Sequence, residues 1–147
     1  MAVTVSNQQR FSDAWESFFR TTRRLRARAG RLPGELSVPQ YQLLEPLRRT
    51  HELCVGELAD AAGVAAPTAT RMLDGLARNG LITRRHSEVD RRSVIVSLTG
   101  EGETALEEAH GVVDAWRRQV LESLEPAERE HAAALLERLS EVMEAQL

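Results

Sequence analysis

Lysine is absent from this chain of 147 residues, cysteine occurs once, and aromatic residues make up only 4%. A single cysteine, Cys54, cannot form an intramolecular disulfide bond, which excludes a disulfide-rich secreted scaffold. No apolar run approaches the length of a membrane span, and the N-terminus lacks the basic-then-apolar pattern of a signal peptide. We therefore expect a cytoplasmic protein with no membrane partner.

Motifs of catalysis and of metal binding are also lacking. The sequence has no phosphate-cradling glycine loop, no HExxH and no nucleophile elbow, so we predict neither an enzyme nor a cofactor. Its histidines are scattered and show no four-ligand zinc spacing, so no metal site is expected. His51 and Cys54 have the spacing of one helical face, where an imidazolium would lower the thiol pKa. A lone cysteine is more often buried and inert, and we favour that interpretation. A redox role stays open as the alternative.

Charge is distributed unevenly along the chain. The formal net charge is −3, but residues 1–35 hold seven arginines against three acidic residues, and residues 66–98 hold six against three. Residues 99–147 hold four arginines against twelve acidic residues. A basic block inside an acidic chain is the electrostatic footprint expected of a nucleic-acid partner.

Hydrophobic periodicity predicts six helices. The first covers residues 6–30, where Ser6 and Gln9 have capping-box spacing. The second begins with the same spacing at Ser37 and Gln40, and Pro46 should kink it or end it early. The others are expected at residues 55–62, 67–79, 99 to about 124, and from 126 onward.

Between the fourth and fifth helices the period changes to that of strands. Residues 81–85 and 93–98 are rich in β-formers and flank a polar stretch, which predicts a hairpin with a long charged tip. Two helices joined at a tight glycine turn and followed by a hairpin are typical of a winged helix-turn-helix. The predicted fold is mainly α, with a winged helix-turn-helix DNA-binding domain at 36–98 between dimerisation helices in 1–35 and 99–147.

The outer helices carry apolar faces that are too large to leave in water. A homodimer would bury them, whereas the alternative is that they close on the core of the monomer itself. The residues that we expect in a dimer interface are Phe11, Trp15, Phe18, Trp116, Leu135, Leu139 and Met143.

The segment 55–102 resembles the DNA-binding core of the MarR family of transcriptional regulators. The resemblance lies in the motifs ELA, GV, TxTR, GLIxR, DRR and LTxxG, in that order, and LSVPQYQLL at 36–44 resembles the preceding helix. It covers about half of the chain. It implies a homodimeric repressor on a pseudo-palindromic duplex operator, released by a small aromatic or anionic effector.

The outward face of the helix at 67–79 offers small polar and cationic side chains suited to a major groove. The residues of this helix that we expect to contact DNA are Pro67, Thr68, Thr70, Arg71 and Arg78. Arg71 has the fork that bonds guanine, and the threonines suit phosphates or base edges, with helix capping as the alternative for either one. Asp74 has the spacing to orient Arg71 and Arg78. Ala65 stands where the family often has a capping serine, so the cap must come from elsewhere or be absent.

The hairpin tip is rich in arginine, which suits the strong negative potential of a narrow minor groove. By the resemblance, Arg92 enters that groove and Asp90 holds it in place, whereas the alternative is that Asp90 only shapes a turn. The predicted wing contacts to DNA are Arg84, Arg85, Asp90, Arg91 and Arg92, with one of the first two touching phosphate.

Two questions stay open at the level of sequence. Six arginines fall within Arg20–Arg31, and four of them, Arg20, Arg24, Arg28 and Arg31, lie opposite the apolar stripe of the first helix, as expected of a solvated face. The cluster would also suit flanking phosphates or an anionic effector. The winged helix could instead be only the scaffold of a small-molecule-binding dimer, or a module that binds protein and not DNA.

Overall fold

The structure is a computed structural model that describes residues 2–146, with side chains from Ser6 onward. Its helices are α1 Ala2–Arg28, α2 Val38–Leu44, α3 Val55–Ala62, α4 Ala66–Arg78, α5 Gly100–Glu122 and α6 Pro126–Glu144. Its strands are β1 Glu52–Cys54, β2 Ile82–His86 and β3 Val94–Leu98. The chain divides into two units, with the boundary inside α5 between Ala109 and His110. The mainly helical architecture with a small sheet confirms the predicted fold class.

The start of α1 differs from the prediction. The helix already includes Ala2, so Ser6 lies inside it and the predicted capping box is wrong. The side chain of Gln9 donates a hydrogen bond to Asp13 at 2.9 Å, one helical turn further on. Spacing alone misleads here because the same three-residue interval also occurs within helices.

The start of α2 follows the prediction. The backbone N–H of Gln40 donates to Ser37 Oγ at 3.2 Å, and the backbone N–H of Ser37 donates to Gln40 Oε1 at 2.9 Å. The helix ends at Leu44 and continues as a short 3₁₀ turn, Glu45–Arg48, that has Pro46 in its first turn. This early end agrees with the loss of a helical hydrogen bond at proline.

The core of the first unit joins α2, α3, α4, β3 and the first part of α5. Its fully buried large side chains are Leu36, Leu43, Leu44, Leu58, Leu73, Leu76, Val96 and Leu106. Helix α4 contributes one face of this core, and Gly63, with φ +62°, makes the left-handed turn that ends α3 and leads into it. Helix α4 and the wing, the hairpin of β2 and β3, are therefore built on one packed core.

The sheet has three antiparallel strands in the order β1-β3-β2. The hairpin of β2 and β3 was predicted, but β1 was not, because three residues are too few to show an alternating pattern. Glu52 in β1 pairs in register with Ser97 in β3, and Arg85 in β2 pairs with Ile95. The additional strand gives β3 a neighbour on both sides, so β3 is the central strand and β1 and β2 are the edges.

A carboxylate connects all three strands on the surface. Glu52 Oε2 accepts from Arg85 Nη2 at 2.6 Å, and Glu52 Oε1 accepts from Ser97 Oγ at 3.3 Å. The hydrogen bond from Arg85 lowers the pKa of Glu52. The same contact raises the pKa of Arg85. The pair fastens β1 to the wing.

The LTxxG motif has a structural role at the start of α5. Thr99 Oγ1 accepts from the backbone N–H of Gly102 at 3.0 Å and donates to the carbonyl of Gly80 at 2.6 Å. The backbone N–H of Thr99 donates to the carbonyl of Leu81 at 3.0 Å. A Cβ atom at Gly102 would collide with that same carbonyl oxygen. Glycine is required here because the backbone of α5 lies directly against residue 81.

The second unit contains the later part of α5 and α6. The backbone N–H of Glu125 donates to Glu128 Oε2 at 2.9 Å at the start of α6. Its exposed apolar side chains include Val112, Trp116, Val120, Leu135, Leu136 and Met143. No described helix combines the length and the apolar character needed to cross a bilayer.

The apolar face of α1 also lies in solvent in the single chain. Phe11 and Phe18 are 55% and 58% exposed, and only Trp15 and Thr22 are half-buried between residues 6 and 31. Phe11, Trp15 and Phe19 form a row of ring contacts along the helix. The alternative that the aromatic side chains of this helix close on the core of the monomer is therefore wrong.

We expect Gly102→Ala to destabilise the protein by about 1–3 kcal/mol, because the added methyl group must displace backbone rather than a mobile side chain. Gly111→Ala on the same helix meets nothing within 4 Å and is the matched control. It should be neutral or stabilise by up to about 1 kcal/mol through helix propensity. Urea unfolding at one protomer concentration measures both, and equal effects of the two substitutions would contradict the close approach.

We expect the stability lost in Glu52→Gln to depend on pH. Because the pKa of Glu52 is lowered in the folded protein, its contribution is fully present above the ordinary glutamate pKa of about 4.3. That contribution is lost as the pH falls through the lowered value. The difference in unfolding free energy between wild type and variant should therefore be constant near neutral pH and shrink in acid. A difference that stays constant into strong acid would contradict the assignment.

Candidate nucleic-acid interface

The outward face of α4 is exposed opposite its buried apolar face. Ala69, Leu73 and Leu76 are buried, and the predicted contact residues on the other side that are exposed are Pro67, Thr70, Arg71 and Arg78. Thr68 is half-buried. The structure thus places the five predicted recognition-helix residues on the surface of one helix.

The N-terminus of α4 has no side-chain cap. Ala65 at the capping position offers no hydrogen-bond acceptor in its side chain, and no other side chain caps the helix. Of the two possibilities, a cap from elsewhere or no cap, the second therefore holds. Thr70 Oγ1 donates to the carbonyl of Ala66 at 2.9 Å and does not cap the helix. Its hydroxyl oxygen keeps lone pairs that can accept from a ligand. The N–H groups of Thr68 and Ala69 donate to the carbonyl of Ala65, and Pro67 has no N–H, so the first turn of α4 keeps little backbone capacity for an anion such as phosphate.

Asp74 does not orient the arginines of its own helix. Its Oδ1 accepts from Arg84 Nη1 of strand β2 at 2.8 Å, so the expectation that it pairs with Arg71 and Arg78 is wrong. Exposed pairs within a helix gain only a few tenths of a kcal/mol. Arg84 is the better partner because its side chain is only 26% exposed and is held beside α4 by the sheet.

The two arginines of β2 are already engaged by carboxylates. Arg84 pairs with Asp74, and its Nε and Nη2 atoms are buried without a hydrogen-bond partner. Arg85 pairs with Glu52 and keeps half of its side chain exposed. A contact of either guanidinium with phosphate would therefore have to share or replace an existing ion pair.

The wing tip is organised by short hydrogen bonds to the backbone. Ser87 Oγ accepts from the backbone N–H groups of Val89 and Asp90, and Asp90 Oδ1 accepts from the backbone N–H of Arg92 at 3.0 Å. Asp90 thus shapes the turn and touches the main chain of Arg92, as in the alternative interpretation. Arg91 and Arg92 are exposed.

A cleft of about 470 Å³ lies between the start of α3, helix α4 and the wing. It brings together side chains from both parts of the predicted interface, among them Thr70, Arg84, Asp90 and Arg92. The recognition helix and the wing thus border a common concave surface. No interval in the sequence could have placed position 70 beside position 92.

Cys54 occupies the capping position of α3. Its Sγ accepts from the backbone N–H of Glu57 at 3.5 Å, and its own N–H donates to Glu57 Oε2 at 2.7 Å. The hydrogen bond from the Cys54 backbone lowers the pKa of Glu57. His51 precedes β1, so the expected shared helical face of His51 and Cys54 is wrong. Sequence analysis missed this capping box because cysteine rarely serves in place of serine.

The arginines between Arg20 and Arg31 are exposed, as expected of a solvated face. Arg20 lies 3.8 Å from Glu16, and Arg31 lies 3.3 Å from Glu35. Within residues 2–146, no group of three or more His, Cys, Asp or Glu side chains is arranged to hold a metal ion.

Sequence comparison matches the MarR family to residues 36–94, the part of the chain that contains α2, α3, α4 and the wing. The HTH-type transcriptional regulator BilQ of Clostridium symbiosum is 37% identical over 91 residues, which are 62% of this chain and 63% of BilQ. The chain thus spans less than two thirds of the length of that relative. The relative is named as a regulator and not as an enzyme.

Solved structures show the same architecture. A MarR family transcription regulator superposes with a TM-score of 0.83 at 23% identity, covering 99% of this chain and 97% of that one. A mutant MarR of E. coli complexed with operator DNA has a TM-score of 0.63 at 26% identity, covering 71% of this chain and 76% of that one. Residues 36–94 of this chain thus match the MarR family in sequence, and the winged-helix fold that they form is that of MarR structures.

Proposed function

We propose that this chain is one protomer of a homodimeric transcriptional repressor that binds a pseudo-palindromic duplex. One observation carries the proposal. Arg71 and Arg78 on α4, and Arg91 and Arg92 on the wing, are exposed and belong to no ion pair among the described residues. Four free guanidiniums, two on α4 and two on the wing of the winged-helix lobe (residues 36–98), suit a groove and its phosphates.

Electrostatics supports this assignment over that of a scaffold. The acidic excess of the chain falls in residues 99–147, outside the lobe. Residues 66–98, which contain α4 and the wing, keep an excess of six arginines over three acidic residues inside an acidic chain. A winged helix that served only as a scaffold, or that bound a protein partner, would not need arginines both on the recognition helix and at the wing tip.

The exposed apolar faces support a dimer of this chain. Phe18 on α1, Trp116 on α5 and Leu135 and Met143 on α6 each leave about half of their surface in solvent. Burying such faces is favourable by roughly 25 cal/mol per Å². A twofold dimer would also present two recognition helices to successive major grooves, about 34–36 Å apart.

Repression and its relief follow from where such a dimer would lie. Bound over a promoter, it would exclude RNA polymerase from that DNA. A small aromatic or anionic effector would release it by favouring a spacing of the lobes that no longer matches the half-sites. The relative of known structure bound to operator DNA supports the DNA-binding part of this proposal.

The test is a fluorescence-anisotropy titration with the duplex that the protein selects from a random library. We expect the dissociation constant to rise steeply with salt, because each neutralised phosphate releases a counterion. A duplex with only one half-site, as the matched control, should bind much more weakly than the full site. Weak binding that does not depend on salt would favour the scaffold or the protein-binding module.

Arg71→Ala should weaken binding to the selected duplex by about 1–3 kcal/mol and relax the preference at one base pair, because a bidentate contact to guanine is lost. Arg49→Ala removes the same charge from the same lobe, at an exposed position outside α4 and the wing, and serves as the control. An equal loss on selected and random duplexes would identify Arg71 as a phosphate contact.

A further inference from the structure

We propose that Asp74 is a positioning residue for the wing: its ion pair with Arg84 sets the angle between α4 and the wing, and thereby the reach of Arg92. The inference rests on the proposed DNA binding, because Asp74 itself is not assigned a contact with DNA. It also explains why an acidic residue, which repels phosphate, is present on the helix that is proposed to bind DNA.

The pair is the polar connection between the two elements. Asp74 lies on the outer side of α4, directly after the buried Leu73, and Arg84 lies at the centre of β2, in register with Val96 of β3. The Oδ1–Nη1 distance of 2.8 Å is that of a charge-assisted hydrogen bond. Because both ends stand on rigid elements, the bond constrains one element against the other.

Arg84 depends on this bond more than a surface arginine would. Its Nε and Nη2 atoms are buried and have no partner, and only a quarter of its side chain is exposed. Removing the Asp74 carboxylate would leave a half-buried guanidinium without its counter-ion, which is unfavourable. The side chain would then have to turn out toward water, and it would no longer hold β2 against α4.

A movement at Arg84 would reach the wing tip over a short path. His86 follows two residues later, and its ring nitrogen Nδ1 lies 3.1 Å from the carbonyl oxygen of Arg91. Arg84 and Arg92 also line the same cleft beside Thr70. The geometry therefore connects Asp74 to the arginine that the resemblance places in the minor groove.

Two roles of Asp74 predict changes of opposite sign. If the carboxylate acted only through its charge, removing it would strengthen binding, because it repels phosphate. If it positions the wing, removing it weakens binding to the selected duplex despite the more favourable net charge. The sign of the change in Kd therefore separates the two roles without any assumption about their size.

The experiment compares Asp74→Asn with Asp60→Asn, which removes the same charge from an exposed position on α3 that belongs to no ion pair among the described residues. We expect Asp74→Asn to weaken binding to the selected duplex about 3- to 30-fold, the range seen for residues that modulate a site without touching the ligand. Asp60→Asn should leave Kd unchanged or slightly lower. An unchanged or tighter Kd in Asp74→Asn would overturn the proposal.

A double-mutant cycle with Arg92→Ala identifies the route. If Asp74 acts through the wing, Asp74→Asn should cost little further affinity once Arg92 has been removed. Full additivity of the two losses would overturn the proposal. Should Asp74→Asn not fold, Arg84→Met breaks the pair without leaving a buried charge, and it should show the same loss and the same non-additivity.

Hydrogen exchange separates failure of this inference from failure of the proposed function. If the wild-type protein binds no duplex, the proposed function is wrong, and amide exchange in peptides covering Arg84–Val94 still tests the positioning role. Faster exchange there in Asp74→Asn than in Asp60→Asn supports it, and equal exchange overturns it. If the wild type binds duplex and Asp74→Asn binds equally well, only the inference fails.

Discussion

Burial of one face of α4 is the constraint on which the rest of the structure depends. Leu73 and Leu76 must be covered, and they are covered by a core to which β3 and the start of α5 contribute Val96 and Leu106. Since interiors pack like solids, an element that shares this core cannot drift relative to α4. The same burial that stabilises the lobe therefore fixes the opposite, arginine-bearing face of α4 beside the wing. The fixed position of these arginines, which the proposed DNA recognition requires, thus follows from packing of the core.

The close approach of Gly102 to Leu81 extends this rigidity into α5. Because Thr99 contacts Gly80 and Leu81 as well as Gly102, the junction between the wing and the long helix is held by several hydrogen bonds and has no free linker. Arg48 strengthens the junction from the other side by donating from Nε to Glu107 Oε1 at 2.8 Å, and this hydrogen bond raises the pKa of Arg48. The first turns of α5 thus belong to the same compact unit as α4 and the wing.

Sequence patterns predicted the elements that depend on local chemistry. Leu73 and Leu76 show the helical period, Ser37 caps a helix by its own side chain, and Pro46 ends one by lacking an N–H, so each signal is complete within a few residues. Strand β1 has no such signal, because its three residues become a strand only when β3 lies beside them. The exposure of Arg71 and Arg92 followed from pattern and resemblance, but the cleft that Thr70 shares with Arg92 is a product of tertiary structure.

The partner of Asp74 shows why ion pairs are the hardest part to predict. Intervals of three and four residues favoured Arg71 and Arg78, yet those positions face water, where a pair gains almost nothing against side-chain entropy. Arg84 is ten residues away in sequence and contacts Asp74 because the sheet holds it in a less polar place, where the attraction is stronger and an unpaired charge is costly. Burial thus decides which partner a charged side chain pairs with, and the spacing of residues in the sequence does not reveal burial. Because Asp74 pairs with Arg84, Arg71 and Arg78 are left free, and free arginines are what the proposed interface needs.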